Sequence, residues 1–136
     1  MSPPEARITL AIDAMGGDEG PEEVLEGLAL AVEEASRSAR FVVVGREEEL
    51  LPNIERSPLL CAANVEVLHA SEVIGMSEKP IAGIKKKKDS SMARALEMVK
   101  EDEADALFSC GNTGCLMAGG AIRLRTLDGV ERPALC

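Results

Sequence analysis

The feature that most constrains the fold of this chain is its repeated passage from a short apolar run to a segment with helical periodicity. The apolar runs lie at 8–15, 41–44, 64–68 and 104–108, and each has the length of a buried strand. Strands that alternate with helices favour right-handed βαβ crossovers. The pattern therefore predicts an α/β fold with a mainly parallel sheet.

The segments between these runs predict the helices. Pro21 suits the first position of a helix, and Glu22 and Glu23 would face its positive end. A short charged helix is predicted over 47–54, and an apolar helix over 115–124. The residues Asp89, Ser90 and Ser91 form a capping cluster for a further helix. Residues 69–80 show no periodicity and are predicted to form a loop.

Composition narrows the classes of function. Hydrophobic residues make up 46% of the 136 residues, yet there are only two Phe and no Tyr or Trp. An aliphatic core of this kind suits parallel strands covered by helices. The net charge of −9 repels phosphate backbones, and aromatic residues for base stacking are nearly absent. Nucleic-acid binding is therefore not expected.

The cysteines and the single histidine give no metal-binding pattern. The four cysteines have no CxxC spacing, and His69 is the only histidine, so neither a metal nor a cofactor is predicted. The first residues lack the basic and apolar regions of a signal peptide, and no run of 18 apolar residues occurs. These features predict a cytoplasmic protein with free thiols.

Two glycine-containing loops are candidates for anion binding, because each follows a predicted strand. Ligands of open parallel sheets bind beyond the carboxyl ends of the strands, where glycines let backbone N–H groups approach an anion. The phosphate-binding candidates in these loops are Asp13, Gly16, Gly17, Asp18, Ser109, Gly111, Thr113 and Gly114, with Asn112 as a further donor. The alternative is that both loops are only sharp turns, with Asp18 as a cap. Neither loop matches a dinucleotide or P-loop fingerprint.

A basic run precedes the capping cluster. Lys87 and Lys88 belong to four consecutive lysines at 85–88, and we expect them to neutralise a phosphate to which Ser90 and Ser91 donate hydrogen bonds. The alternative is a solvated helix face followed by ordinary caps. His69 follows a predicted strand, so it would lie on the same rim, with either a catalytic or a structural role.

Four segments in order resemble the signature blocks of the phosphate acyltransferase (PlsX) family. They are AIDAMGGDEGP at 11–21, HASEVIGMSEKP at 69–80, KKKDSSMA at 86–93 and SCGNTGCLM at 109–117. Together they span most of the chain, which makes the resemblance specific. The sequence departs from the family where Glu19 replaces a frequent His, where Ser77 and Glu78 replace an acidic pair, and where Cys110 and Cys115 replace Ala.

The resemblance implies a Rossmann-like α/β/α sandwich similar to that of isocitrate and isopropylmalate dehydrogenases. Residues 1–136 would be the amino-terminal part of a single domain. The implied activity is transfer of a fatty acyl group from acyl-carrier protein to inorganic phosphate, without a cofactor. The family also implies a homodimer, with peripheral association to a membrane. Catalytic roles are then expected for Lys88, Asp89, His69 and Asn112.

Two other functions agree with the same residues. One is a phosphotransacetylase-like enzyme that uses coenzyme A in place of a carrier protein. The other is a non-catalytic α/β interaction module that keeps the turns. The basic run at 85–88 favours an acidic protein carrier, since acyl-carrier protein is acidic.

Overall fold

A computed structural model describes residues 7–35 and 38–134. This part of the chain contains a four-stranded parallel sheet in the order β3-β2-β1-β4. The strands are β1 (Ile8–Asp13), β2 (Ala39–Gly45), β3 (Glu66–His69) and β4 (Ala106–Ser109). The predicted α/β class with a parallel sheet is confirmed.

Helices connect the strands in the manner of βαβ units. They are α1 (Pro21–Ala35), α2 (Glu47–Glu55), α3 (Pro58–Ala62), α4 (Pro80–Lys86), α5 (Ser91–Lys100) and α6 (Thr113–Gly119). The last of these continues into a turn of π-helix over Gly120–Leu124. None of the helices in the described ranges is both long and apolar enough to cross a membrane.

Helices cover both faces of the sheet, which gives an α/β/α sandwich. On one face, Leu25, Leu28 and Val32 of α1 pack with sheet residues such as Phe41 and Val43. On the other face, α5 packs against β1, β2 and β4. The buried side chains are almost all aliphatic, as the composition predicts. Parallel sheets require this cover because both of their faces must be shielded from water.

The strand order reverses between β1 and β4. From β1 the chain moves outward to β2 and then to β3, and from β3 it returns across the sheet to pair β4 with the opposite side of β1. In open parallel sheets a crevice forms at such a switch point, outside the carboxyl ends of the two strands. The two glycine loops of the sequence leave the sheet at these two ends.

Several element boundaries differ from the prediction. The first strand ends at Asp13 and not at residue 15, the third is Glu66–His69, and the fourth is Ala106–Ser109. The predicted helix over 115–124 begins earlier, at Thr113, where Asn112 caps it. Helices α3 and α4 were not predicted, although both begin at a proline, Pro58 and Pro80. Each is only five to seven residues long, which is too short for apolar periodicity to show.

Candidate functional site

The two glycine loops touch each other at the switch point. A Cβ atom added to Gly16 would lie 2.7 Å from the Cα atom and 2.8 Å from the amide nitrogen of Gly111. Backbone therefore packs directly on backbone at this point, and only glycine fits at position 16. Gly17 has a φ of 105°, in the left-handed region that favours glycine. The structure thus joins the two predicted loops into one crevice wall.

Beneath these loops lies a buried carboxyl group. Asp13 at the end of β1 is 1% exposed, and its two oxygens accept hydrogen bonds from Ser91 Oγ at 2.5 Å and Ser109 Oγ at 2.7 Å. Ser109 Oγ in turn accepts a hydrogen bond from the Gly111 amide at 3.0 Å. One side chain thus links β1, β4 and α5. We infer that Asp13 shapes the crevice, since its oxygens are already occupied and shielded from solvent.

The predicted capping cluster has the expected local role. Ser90 Oγ accepts a hydrogen bond from the Ala93 amide at 3.1 Å, so Ser90 is the N-cap of α5. Ser90 is 0% exposed and Ser91 is 2% exposed. Both hydroxyl groups therefore already have partners within the protein. Their predicted role in phosphate binding stays a prediction.

Lys87 is held within the protein by the segment that precedes α4. Its Nζ donates hydrogen bonds to the Val73 carbonyl at 2.6 Å and to Glu78 Oε1. Glu78 Oε1 also accepts a hydrogen bond from the Gly75 amide at 3.1 Å. The hydrogen bond and the charge of Lys87, together with the Gly75 amide, lower the pKa of Glu78. Lys87 thus fastens residues 73–79, which we call the 73–79 segment.

Asn112 fastens the same segment from the other side. Its Nδ2 lies 3.1 Å from the carbonyl oxygens of Gly75 and Met76 and 2.9 Å from that of Glu78. Its Oδ1 accepts a hydrogen bond from the Cys115 amide at 3.1 Å, which caps α6. Asn112 is 7% exposed. Its geometry is that of a positioning residue that ties the second glycine loop to the 73–79 segment.

His69 and Asp89 form a separate group above the ends of β2 and β3. His69 Nδ1 accepts a hydrogen bond from the Glu47 amide at 3.2 Å. Asp89 accepts hydrogen bonds from the Ser71 amide at 3.1 Å and the Ser71 hydroxyl at 2.5 Å, and these lower its pKa. Arg94 Nε lies 3.6 Å from Asp89 Oδ1. The two predicted catalytic residues thus lie close together beyond the end of β3, where Asp89 bonds to Ser71, two residues after His69.

A smaller set of predicted residues faces solvent without an internal partner. The side chains of Asp18, Lys88 and Thr113 are exposed and form no hydrogen bond or ion pair with other residues in the described ranges. The first loop and the first turn of α1 are acidic and exposed, through Asp18, Glu19, Glu22 and Glu23. Positive charge lies instead near the junction of α4 and α5, so that side of the crevice favours an anion.

Sequence reasoning missed the partners that hold these residues. Ser71 and Glu78 lie within the family block at 69–80, but nothing in that block indicates that they pair with Asp89 and Lys87, which lie 18 and 9 residues away. Arg94, which lies beside Asp89, was not singled out either. The only nearby signal was Pro80, which suits the first position of a helix and is the first residue of α4. It could have located the start of α4, but it does not identify Glu78 as the partner of Lys87.

The Glu78–Lys87 pair predicts a pH dependence of stability. A carboxylate whose pKa is lowered on folding stabilises the folded state above its ordinary pKa of 4.5, and this stabilisation is lost as the pH falls through the lowered value. Glu78→Gln should therefore cost about 0.5–1 kcal/mol at pH 7 and less near pH 3. Urea unfolding at the two pH values measures the difference. Glu103→Gln, at an exposed position without an ion pair, serves as the control. An equal cost of Glu78→Gln at both pH values would contradict the prediction.

Comparison with known proteins agrees with the motifs. A family model described as "fatty acid synthesis protein" matches residues 8–136. A phosphate acyltransferase of Ligilactobacillus salivarius is 43% identical over 126 residues, which are 93% of this chain and 36% of the relative. A phosphate acyltransferase of Thermoanaerobacter pseudethanolicus is 44% identical over 126 residues, which are 93% of this chain and 36% of that relative. A phosphate acyltransferase of Halorhodospira halophila is 43% identical over 130 residues, which are 96% of this chain and 38% of that relative.

The chain spans little more than a third of the length of these curated relatives. The matched region nevertheless includes both glycine loops, the 73–79 segment and the lysine run. The resemblance to phosphate acyltransferases, first given by four ordered motifs, is confirmed. The chain therefore belongs to the fatty acid synthesis protein family.

Proposed function

We propose that the full-length protein transfers a fatty acyl group from acyl-carrier protein to inorganic phosphate and releases acyl phosphate. The observation that carries this proposal is the identity of 43–44% with phosphate acyltransferases over at least 93% of the chain. The crevice at the switch point supports it, since that is where an α/β sheet binds a small anion.

The chemistry is a single acyl transfer. A phosphate oxygen attacks the thioester carbonyl carbon, and the resulting tetrahedral oxyanion collapses as the carbon–sulfur bond breaks. The carrier leaves as a thiolate and takes up the proton that the hydrogen phosphate gives up. The protein must bind the phosphate, align it with the carbonyl group and donate hydrogen bonds to the oxyanion.

The phosphate subsite that we propose lies between the second glycine loop and the junction of α4 and α5. Lys88 supplies the cation there, because its ammonium group is exposed and unpaired within the described residues and it lies two residues before Ser90, the N-cap of α5. Thr113 and the backbone amides of the loop supply neutral donors. In this arrangement Lys87 and Asn112 position the loops and do not touch the phosphate. The acidic first turn of α1 keeps the anion away from the opposite side.

The carrier protein would dock on the basic surface of α4. Lys79, Lys85, Lys86 and Lys88 are all exposed around this helix, and Ile81 beside them is 57% exposed. A local positive patch on a chain of net charge −9 selects an acidic partner by complementarity. Acyl-carrier protein fits this description; coenzyme A is also anionic, so the two donors must be compared directly. Homodimer formation, a cytoplasmic location and peripheral contact with a membrane also belong to this proposal.

A direct assay tests the proposed reaction. The full-length protein is incubated with phosphate and either acyl-carrier protein or coenzyme A carrying the same acyl group. Acyl phosphate is trapped with hydroxylamine, and the released thiol is measured. We expect product with the carrier protein and much less with coenzyme A. Equal rates would favour the phosphotransacetylase alternative, and no product from either donor would refute the proposal.

Lys88→Ala tests the phosphate subsite within that assay. Loss of a charge-assisted hydrogen bond should raise the KM for phosphate roughly tenfold or more. Lys100→Ala is the matched control, because Lys100 is also exposed but lies at the opposite end of α5. A KM for phosphate that is unchanged in Lys88→Ala would remove Lys88 from the subsite.

A further inference from the structure

An apolar groove runs along β4 on the face of the sheet that carries α1, and one end of it reaches Gly16, Gly17 and Cys110 of the two glycine loops. It lies between α1 and β4 and has a volume of about 700 Å³. Its lining includes Leu10, Ile12, Val24, Gly27, Ala31 and Phe108. We call it the α1–β4 groove. The hydrogen bonds of Asp13 to Ser91 and Ser109 lie on the other face of the sheet, so the groove and the Asp13 cluster meet only at the glycine loops.

The groove exists because β4 is covered on one face only. Leu107 of β4 packs beneath α5 and α6, whereas Phe108 points to the opposite face and is 54% exposed. On that face α1 covers β1 and β2, and no described helix lies over β4. Parallel strands are ordinarily buried on both faces. Within the described residues, the layer that contains α1 therefore stops short of β4.

The side of the groove that α1 forms would let another helix pack closely against it. Gly27 and Ala31 are one helical turn apart, and both are exposed on the groove side. A Cβ atom at Gly27 would meet no atom within 4 Å, so nothing within the described residues requires glycine there. Glycine inside a helix costs about 0.5–1 kcal/mol relative to alanine. Small residues at this spacing let a second helix pack at an interaxial distance of roughly 8 Å.

We propose that the α1–β4 groove is the docking surface for an amphipathic helix from the remainder of the full-length protein. The curated relatives supply the reason to choose this occupant, since the chain covers only 36–38% of their length. The carboxyl end of the groove is lined by Asp18, Glu19 and Glu23. The docking helix should therefore present an apolar stripe to Phe108 and a basic residue to these acids. The proposal does not depend on the acyl transfer reaction.

Thiol labelling of the full-length protein tests this docking. Single cysteines are introduced as Phe108→Cys and Ala31→Cys inside the groove and as Leu30→Cys on the solvent side of α1, where Leu30 is 69% exposed. Labelling at each site is quantified by mass spectrometry, so the native cysteines can stay. We expect both groove sites to react about a hundredfold more slowly than the control site, as buried positions that open only by local unfolding do.

Other outcomes would overturn the proposal. Groove sites that react as fast as Leu30→Cys would show an open surface. Protection that disappears on dilution would identify a second copy of the chain as the occupant. Protection that requires an added long-chain acyl phosphate would identify an acyl-binding site. Ala31→Cys is the milder change, so it keeps the test valid if Phe108→Cys fails to fold.

Discussion

Replacing Gly16 with alanine should destabilise the fold by about 2–3 kcal/mol, although it adds a single methyl group. The new Cβ atom would lie 2.7 Å from Gly111 Cα and 2.9 Å from Asp13 Oδ2. Neither neighbour is the flexible end of a long side chain, so the two loops must separate. Urea unfolding followed by circular dichroism measures the loss. Because the loops form the crevice, phosphate binding by the full-length protein should weaken as well.

Gly120→Ala is the matched control for this change. A Cβ atom at Gly120 meets nothing within 4 Å, and its φ of −60° suits any residue. Alanine there should leave stability unchanged or raise it by about 0.5–1 kcal/mol. If Gly16→Ala unfolded at the same urea concentration as the unchanged protein, the loop contact would not contribute to stability.

The parts of the fold that follow from local pattern were predicted well. Strands β1 and β2 are continuous apolar runs, and α1 and α5 are amphipathic helices with proline or serine at their starts. Each of these signals lies within a single helix or strand, so it can be recognised from the sequence without knowledge of the fold. Short helices such as α3 and α4 were missed, because one or two turns give no periodicity to read.

The candidate site was predicted in outline and not in detail. That both glycine loops lie at the same edge of the sheet follows from strand-end geometry. That they lie side by side depends on the pairing of β1 with β4, which was not predicted. Which side chains pair across that site does not follow from spacing. Ser91 is 78 residues from Asp13, and Ser109 is 96 residues from it. Such contacts depend on the packing of α5 against β1 and β4, which no local pattern specifies.

The same limit applies to the predicted roles of Lys87 and Asn112 at the site, because the sequence could not show where their hydrogen bonds go. Lys87 and Asn112 have the residue types that bind phosphate, and they lie on the expected rim. Their polar atoms, however, hold the 73–79 segment in place. The sequence shows that a cation and an amide are present there. Only the fold shows that their hydrogen bonds are directed to the protein, so the exposed lysines beside them, Lys88 among these, are the cations that remain for a ligand.

Replacing Asp13 with alanine should cost about 2–4 kcal/mol, because two hydroxyl groups would lose their acceptor inside the protein. Ser91 is 2% exposed, so water cannot readily replace the missing oxygen. The loss should appear in urea unfolding. It should also loosen the second glycine loop, since Ser109 Oγ, which binds Asp13, accepts the Gly111 amide hydrogen bond. Asp13 therefore supports both the fold and the crevice.

Two further variants separate the structural role of Asp13 from a direct role in phosphate binding. Asp13→Asn keeps the size and one acceptor oxygen, so it should recover part of the stability that alanine loses. Asp128→Ala, at an exposed position, should change stability by less than about 0.5 kcal/mol. A positioning role predicts that phosphate affinity and stability fall together across the Asp13 variants. If Asp13→Asn kept full stability but lost phosphate binding, Asp13 would instead act on the ligand itself.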